Sequence, residues 1–143
     1  MIVSFHNLPS DDLSGIQFGR SDFICLIVLE RPASEAFRNE VSDALVLSGC
    51  AQVSAWGEEC ELWDDSVDWA ETEFSENKPS NSILTTWHDG ETLQETLEFV
   101  SNGGASGTTE LVVLHFGLKE RAPKIEAVVA STLASRQLGT SKH

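Results

Sequence analysis

Four short apolar runs, three of them stopping at a tryptophan or histidine that opens onto a polar turn, dictate the architecture open to this chain. They are Phe23 to Leu29 ending in Glu30, Ala51 to Ala55 ending in Trp56-Gly57, Ile83 to Trp87 ending in His88-Asp89-Gly90, and Leu111 to Leu114 ending in His115-Phe116-Gly117. Each has the length of a strand, and the segments between them repeat their apolar residues with the helical period. Such alternation builds strand-helix-strand units, a parallel sheet and right-handed crossovers. The residues that close the runs then share one edge of the sheet, where open α/β sheets bind their ligands.

The intervening segments read as amphipathic helices. Ser34 to Ser48 carries Phe37, Val41, Ala44 and Leu45 on one face, with Ser34 as N-cap and Gly49 as the stop. Leu62 to Phe74 sets Trp63, Val67, Ala70 and Phe74 on one stripe, widened by Leu62 and Trp69. Asp89 is placed to cap a helix bearing Leu93, Leu97 and Val100, and Ile125, Val128, Val129 and Leu133 mark a last helix after Pro123. Ser75 to Ser82 reads as a loop, residues 1–21 as an N-terminal arm or edge strand containing Ile2-Val3-Ser4-Phe5, and residues 135–143 as a frayed polar tail. The expected fold is one α/β domain over residues 1–143, a three-layer sandwich around a four-stranded, mainly parallel sheet with an optional extra N-terminal edge strand. In a flavodoxin-like or Rossmann-like manner, the first choice of strand order is second, first, third, fourth. The switch point then falls between the first and third runs, flanked by Glu30 and His88-Asp89.

Charge narrows the partners. The chain of 143 residues has a formal net charge of -14, and no basic residue occurs between Arg38 and Lys78 while acidic ones run from Glu40 to Glu76. Such a field repels phosphate backbones, so direct nucleic-acid binding is not expected and a basic partner or a cation is. No apolar stretch reaches the roughly 18 residues a transmembrane helix needs, and no signal segment opens the chain, so a cytoplasmic protein without membrane contact is expected. Cys25, Cys50 and Cys60 form no CxxC pair, which argues against a thiolate zinc site or a disulfide framework.

Two constellations offer chemistry. At the sheet edge, Glu30, Trp56, Trp87, His88, Asp89 and His115 form a candidate pocket, since imidazoles and carboxylates that converge can bind a divalent metal or exchange protons. The second is the run Trp63-Asp64-Asp65-Ser66-Val67-Asp68-Trp69, where Asp68 lies one helical turn after Asp64 and Asp65 beside two indoles. It fails as a calcium loop, because the sixth position is Trp69 instead of glycine and the twelfth is Ser75 instead of glutamate. Walker, dinucleotide and GxSxG fingerprints are missing, and the glycines at 103, 104 and 107 precede a strand instead of joining a strand to a helix.

Ser48-Gly49-Cys50, Ala55-Trp56-Gly57, Cys60, the stretch Trp63 to Ala70 (WDDSVDWA) and Thr85-Thr86-Trp87-His88 together resemble an uncharacterised bacterial domain family of unknown function, over roughly Phe23 to Gly117. The resemblance implies a small bacterial α/β domain and no reaction type. From the residues themselves, the leading expectation is a non-enzymatic interaction protein, such as an immunity or accessory subunit. It would bind a basic protein partner through Trp56, Glu58, Glu61, Asp64, Asp65, Asp68 and Trp69, with no cofactor. The alternative is an enzyme or ligand sensor with a metal- or nucleotide-binding pocket at the sheet edge, possible cofactor a divalent metal.

Overall fold

Strands that carry apolar side chains on both faces must be covered on both, and two segments of this chain carry them along all or most of their length. They are β2, Ile24–Leu29, and β5, Glu110–Phe116, and they lie side by side in the middle of a five-stranded sheet. The computed structural model describes residues 2–18, 22–74, 83–103 and 110–141. Its remaining elements are β1 (Ile2–Leu8), α1 (Glu35–Leu47), β3 (Gln52–Gly57), α2 (Leu62–Phe74), β4 (Leu84–His88), α3 (Leu93–Gly103) and α4 (Ala122–Ser141), the last entered through a 3₁₀ turn at Lys119–Arg121. The loop expected over Ser75 to Ser82, and Gly104 and Gly107, lie outside the described residues.

All strand pairs are parallel, and the order is β1-β5-β2-β3-β4. The sheet is therefore the expected α/β sandwich with the N-terminal strand added at one edge, but the strand order differs from second-first-third-fourth. The second run lies beside the first as expected, but the fourth run, not the third, lies on the first run's other side, and the third run is an edge. Burial explains the difference: β4 reads Leu84-Thr85-Thr86-Trp87-His88 and leaves Leu84 and Trp87 about half exposed, so it cannot occupy the centre.

Side-chain alternation sorts the two helical layers. Cys25, Ile27 and Leu29 pack with Phe37, Val41 and Leu45 of α1 and Trp63 and Val67 of α2, whereas Ile24, Leu26 and Val28 pack with Leu97 and Val100 of α3 and Ile125 and Val129 of α4. Chain after β2 thus passes to one face and chain after β5 to the other, so the switch point lies between β2 and β5. Ser34 caps α1 as expected, its Oγ accepting from the Phe37 amide at 3.2 Å. Thr92, not Asp89, caps α3: its Oγ accepts from the Glu95 amide at 3.1 Å and Glu95 Oε1 accepts from the Thr92 amide at 2.9 Å, a reciprocal box. The segment from Ser135 to Ser141, expected as a frayed tail, continues α4.

One backbone approach closes the sheet edge. Gly57 adopts φ +108, and a Cβ there would be driven into the Leu29 carbonyl, which accepts from the Glu58 amide at 2.9 Å. Gly57→Ala is therefore expected to lower unfolding free energy by about 2 kcal/mol or more, measured by urea denaturation, whereas Gly15→Ala, where nothing lies nearby, should lose less.

Candidate functional site

Register carries the closing residues of the runs into a single line. Asn7 pairs with His115, His115 with Val28, Val28 with Trp56 and Trp56 with His88, so one row crosses all five strands near their C-terminal ends. Side chains in one row point to one face. The two histidines share that row but stand three strand spacings apart, about 14 Å. His88 and His115 therefore do not converge on one ion, because apolar Val28 and then Trp56 lie between them. Two separate polar arrangements result.

The first fills the switch point. Asn7 Nδ2 donates to the Gly117 carbonyl at 3.1 Å, which turns its amide nitrogen toward His115 Nδ1 at 2.9 Å. That ring nitrogen then accepts, and Nε2 carries the hydrogen given to Glu30 Oε1 at 2.8 Å. Glu30 Oε2 accepts from Arg121 Nη2 at 2.7 Å, and Oε1 also accepts from Arg121 Nε at 3.3 Å. The Arg121 guanidinium, with help from His115, holds the Glu30 carboxyl below its ordinary range, against the opposing effect of burial. Gly117 makes room for this chain, since a Cβ there would stand 2.6 Å from His115 Nε2 and 3.2 Å from Glu30 Oε1. His115 is wholly buried, and its ring and both oxygens of Glu30 are already engaged. The arrangement is a latch that joins β1, β5, the end of β2 and the entry to α4.

The second runs beneath α3. Gln52 Nε2 donates to Ser54 Oγ at 3.0 Å, Ser54 Oγ lies 2.7 Å from Thr86 Oγ1, and Thr86 Oγ1 lies 3.0 Å from His88 Nε2. With His88 Nε2 accepting from Thr86, Nδ1 is the donor to Glu91 Oε1 at 3.2 Å. Phe99 of α3 packs on the His88 ring with centroids 4.8 Å apart, and Trp56 Nε1 donates to the Glu91 carbonyl at 2.7 Å. Glu91 is thus held from both sides, and the Trp56 indole is fixed at the rim of an open groove.

That groove, of about 620 Å³, is lined by Glu30, Trp56, Gly57, Glu58, Glu59, Glu61, His88, Asp89 and Glu91 among others. Of the pocket expected from sequence, Glu30, Trp56, His88 and Asp89 come together here. His115 lies buried behind Glu30, and Trp87 is not among the lining residues. Trp87 pairs with Ala55 and so points to the opposite face, where it is 48% exposed. Glu58 and Glu61, expected on the partner face, line this groove as well.

The rest of that face lies elsewhere. Trp63 is core, against Phe116 at 5.7 Å between centroids, whereas Trp69 on the same helix is 74% exposed. Asp65 and Trp69 line a second groove, between α1 and α2. Asp64, Asp65 and Asp68 each bring a carboxylate oxygen within 4.8 Å of the others, the one such potential cation cluster among the described residues. Burial, followed by repulsion from Asp68 and Asp65, raises the Asp64 carboxyl above its ordinary value. Candidate thiol chemistry is weak: Cys25, Cys50 and Cys60 are free and buried, and burial pushes Cys50 up to about 12.

Sequence reading did not find Asn7, Arg121, Gly117 or Glu91. Asn7 and Arg121 reach the site from opposite ends of the chain, and Gly117 carries a legible mark only in its place directly after a strand. For the latch, the sign of the Glu30 shift sets a pH dependence. A carboxyl lowered in the folded state contributes stability above its unfolded value, near 4.5, and loses it as pH falls through the folded value. Glu30→Gln should therefore be less stable than the parent at pH 7, with the gap closing below pH 4.5 in denaturant titrations at stepped pH. A gap independent of pH would contradict the latch.

A family model described as a domain of unknown function (DUF7684) matches residues 3–132, and the chain belongs to that family. No curated protein and no solved structure matches it.

Proposed function

We propose that this DUF7684 protein is an interaction module, an accessory or immunity-type subunit that receives a basic protein partner on its acidic α2 face. The observation that carries this reading is Trp69, a large indole 74% exposed in the midst of carboxylates at positions 64, 65, 68 and 73. An exposed tryptophan is the side chain most often found at the energetic centre of an interface. The mutual repulsion around Asp64 supports it further, because a cationic partner would relieve that repulsion. Among the described residues no helix is long and apolar enough to cross a membrane, which agrees with a partner met in water.

The test compares two variants of equal net charge. Asp64→Lys/Asp65→Lys/Asp68→Lys reverses the face, and Glu110→Lys/Glu120→Lys/Glu126→Lys reverses charge around β5 and α4. A partner captured from the native host at low salt, identified by mass spectrometry and then titrated against each purified variant, should lose affinity by about tenfold or more with the first only. Equal loss with both would mean that net charge alone drives capture, and the proposal would fall.

A second reading rests on the sheet-edge groove, whose lining among the described residues includes six carboxylates and no lysine or arginine. That lining disfavours a nucleotide and favours an organic cation against the Trp56 indole. Glu30, already bound to His115 and Arg121, is the lining carboxylate least available to a metal. On this reading spermidine should raise the melting temperature, ATP should not, and Glu58→Gln/Glu61→Gln/Asp89→Asn should abolish the rise. No shift with spermidine would eliminate it.

A further inference from the structure

The face that carries Trp69 is also a groove with a definite shape, which narrows the kind of partner it fits. About 590 Å³ of space lies between α1 and α2, with Leu62, Trp69 and Ala70 supplying its apolar surface and Glu35, Asp43, Asp65 and Glu73 its carboxylates. Among the described residues Arg38 is the single cation that lines it, and its Nε donates to Ser66 Oγ at 2.9 Å. We infer that the occupant is a basic amphipathic helix of the partner protein, lying along the groove with its apolar stripe on Leu62 and Trp69 and its lysines and arginines on the rim. This rests on the interaction reading above and specifies the partner's form.

Three features argue for a helix. Leu62 and Trp69 are both exposed and seven residues apart on α2, which places them on one face two turns apart, about 10 Å along the axis. A helix with apolar residues at i, i+3 or i+4, and i+7 meets both anchors at once. The walls of the groove are themselves helices, whose backbone donors and acceptors are paired internally along their length. An extended segment would find no main-chain ladder there and would keep its own peptide groups unpaired, whereas a helix satisfies its own. The dimensions agree as well, since α1 and α2 are each 13 residues long and so offer a track of about 20 Å. Charge complementarity sets the sign of the partner: four rim carboxylates face one arginine that is already engaged.

The experiment uses the full chain and two labelled peptides of about 16 residues, long enough to span the track. Both have the same leucine, lysine and alanine composition. In one the leucines form a single helical stripe, and in the other they are shuffled out of it. Fluorescence anisotropy at moderate salt should show the striped peptide binding about tenfold tighter, with a gain of helical circular dichroism on binding. Leu62→Ala/Trp69→Ala, at exposed positions that carry no charge, should erase that preference and leave the weak binding of the shuffled peptide unchanged. Equal affinity for the two peptides overturns the helix and leaves the basic-partner reading standing. A preference that survives Leu62→Ala/Trp69→Ala overturns this groove as its seat. If neither peptide binds more tightly than to the charge-reversed Asp64→Lys/Asp65→Lys/Asp68→Lys variant, the helix and the interaction reading fail together.

Discussion

Burial of β2 and β5 on both faces is the constraint from which the remaining architecture follows. Two adjacent strands without a polar face need a helical layer above and another below, and the chain meets that need by leaving β2 toward one layer and β5 toward the other. The divergence opens a gap between the two strand ends. Here the gap is filled by protein groups: Glu30 and His115 meet across it, Arg121 closes it from the start of α4, and Asn7 orients the imidazole from the edge strand. A place where related architectures often hold a ligand is in this chain largely occupied by its own side chains.

Much of this was legible. Continuous apolar character in Phe23 to Leu29 and Leu111 to Leu114 announced strands covered on both faces, and the helical stripe of Leu62 to Phe74 had the observed boundaries. The edge position of the third run was legible too, in a signal that alternation alone does not weigh: Leu84-Thr85-Thr86-Trp87-His88 is too polar for the centre of a parallel sheet. Placing it beside the fourth run is what made His88 and His115 look like neighbours. Their true separation follows from order and register, which are long-range properties. The partners of His115 are the hardest case, because Asn7 is 108 residues away and Glu30 is 85, and no local pattern joins them.

The acidic segment shows a different limit. Helical periodicity assigned both Trp63 and Trp69 to one widened apolar stripe, yet the helix has only one neighbour layer and can bury only part of its circumference. Trp63 reaches Phe116, and Trp69, six residues on, turns about 120° from α2's buried line and lines the α1–α2 groove. The single expected partner surface thereby divides in two. Trp56, Glu58 and Glu61 belong with the sheet edge, and Asp65 and Trp69 with the helices, so the two readings of function rest on different surfaces and not on competing uses of one.

The three thiols have a bearing on how this protein comes apart. Cys25 sits in the central strand, Cys50 at the start of the turn into β3 and Cys60 just after the strained Gly57-Glu58-Glu59 corner, and all three are buried and unpaired. An alkylating reagent can reach Cys60 through a local opening of that corner, but it reaches Cys25 only when the sheet itself is breached. The chain therefore carries its own clocks, one at the rim and one at the centre, whose separate labelling rates divide local breathing from global unfolding without any foreign probe.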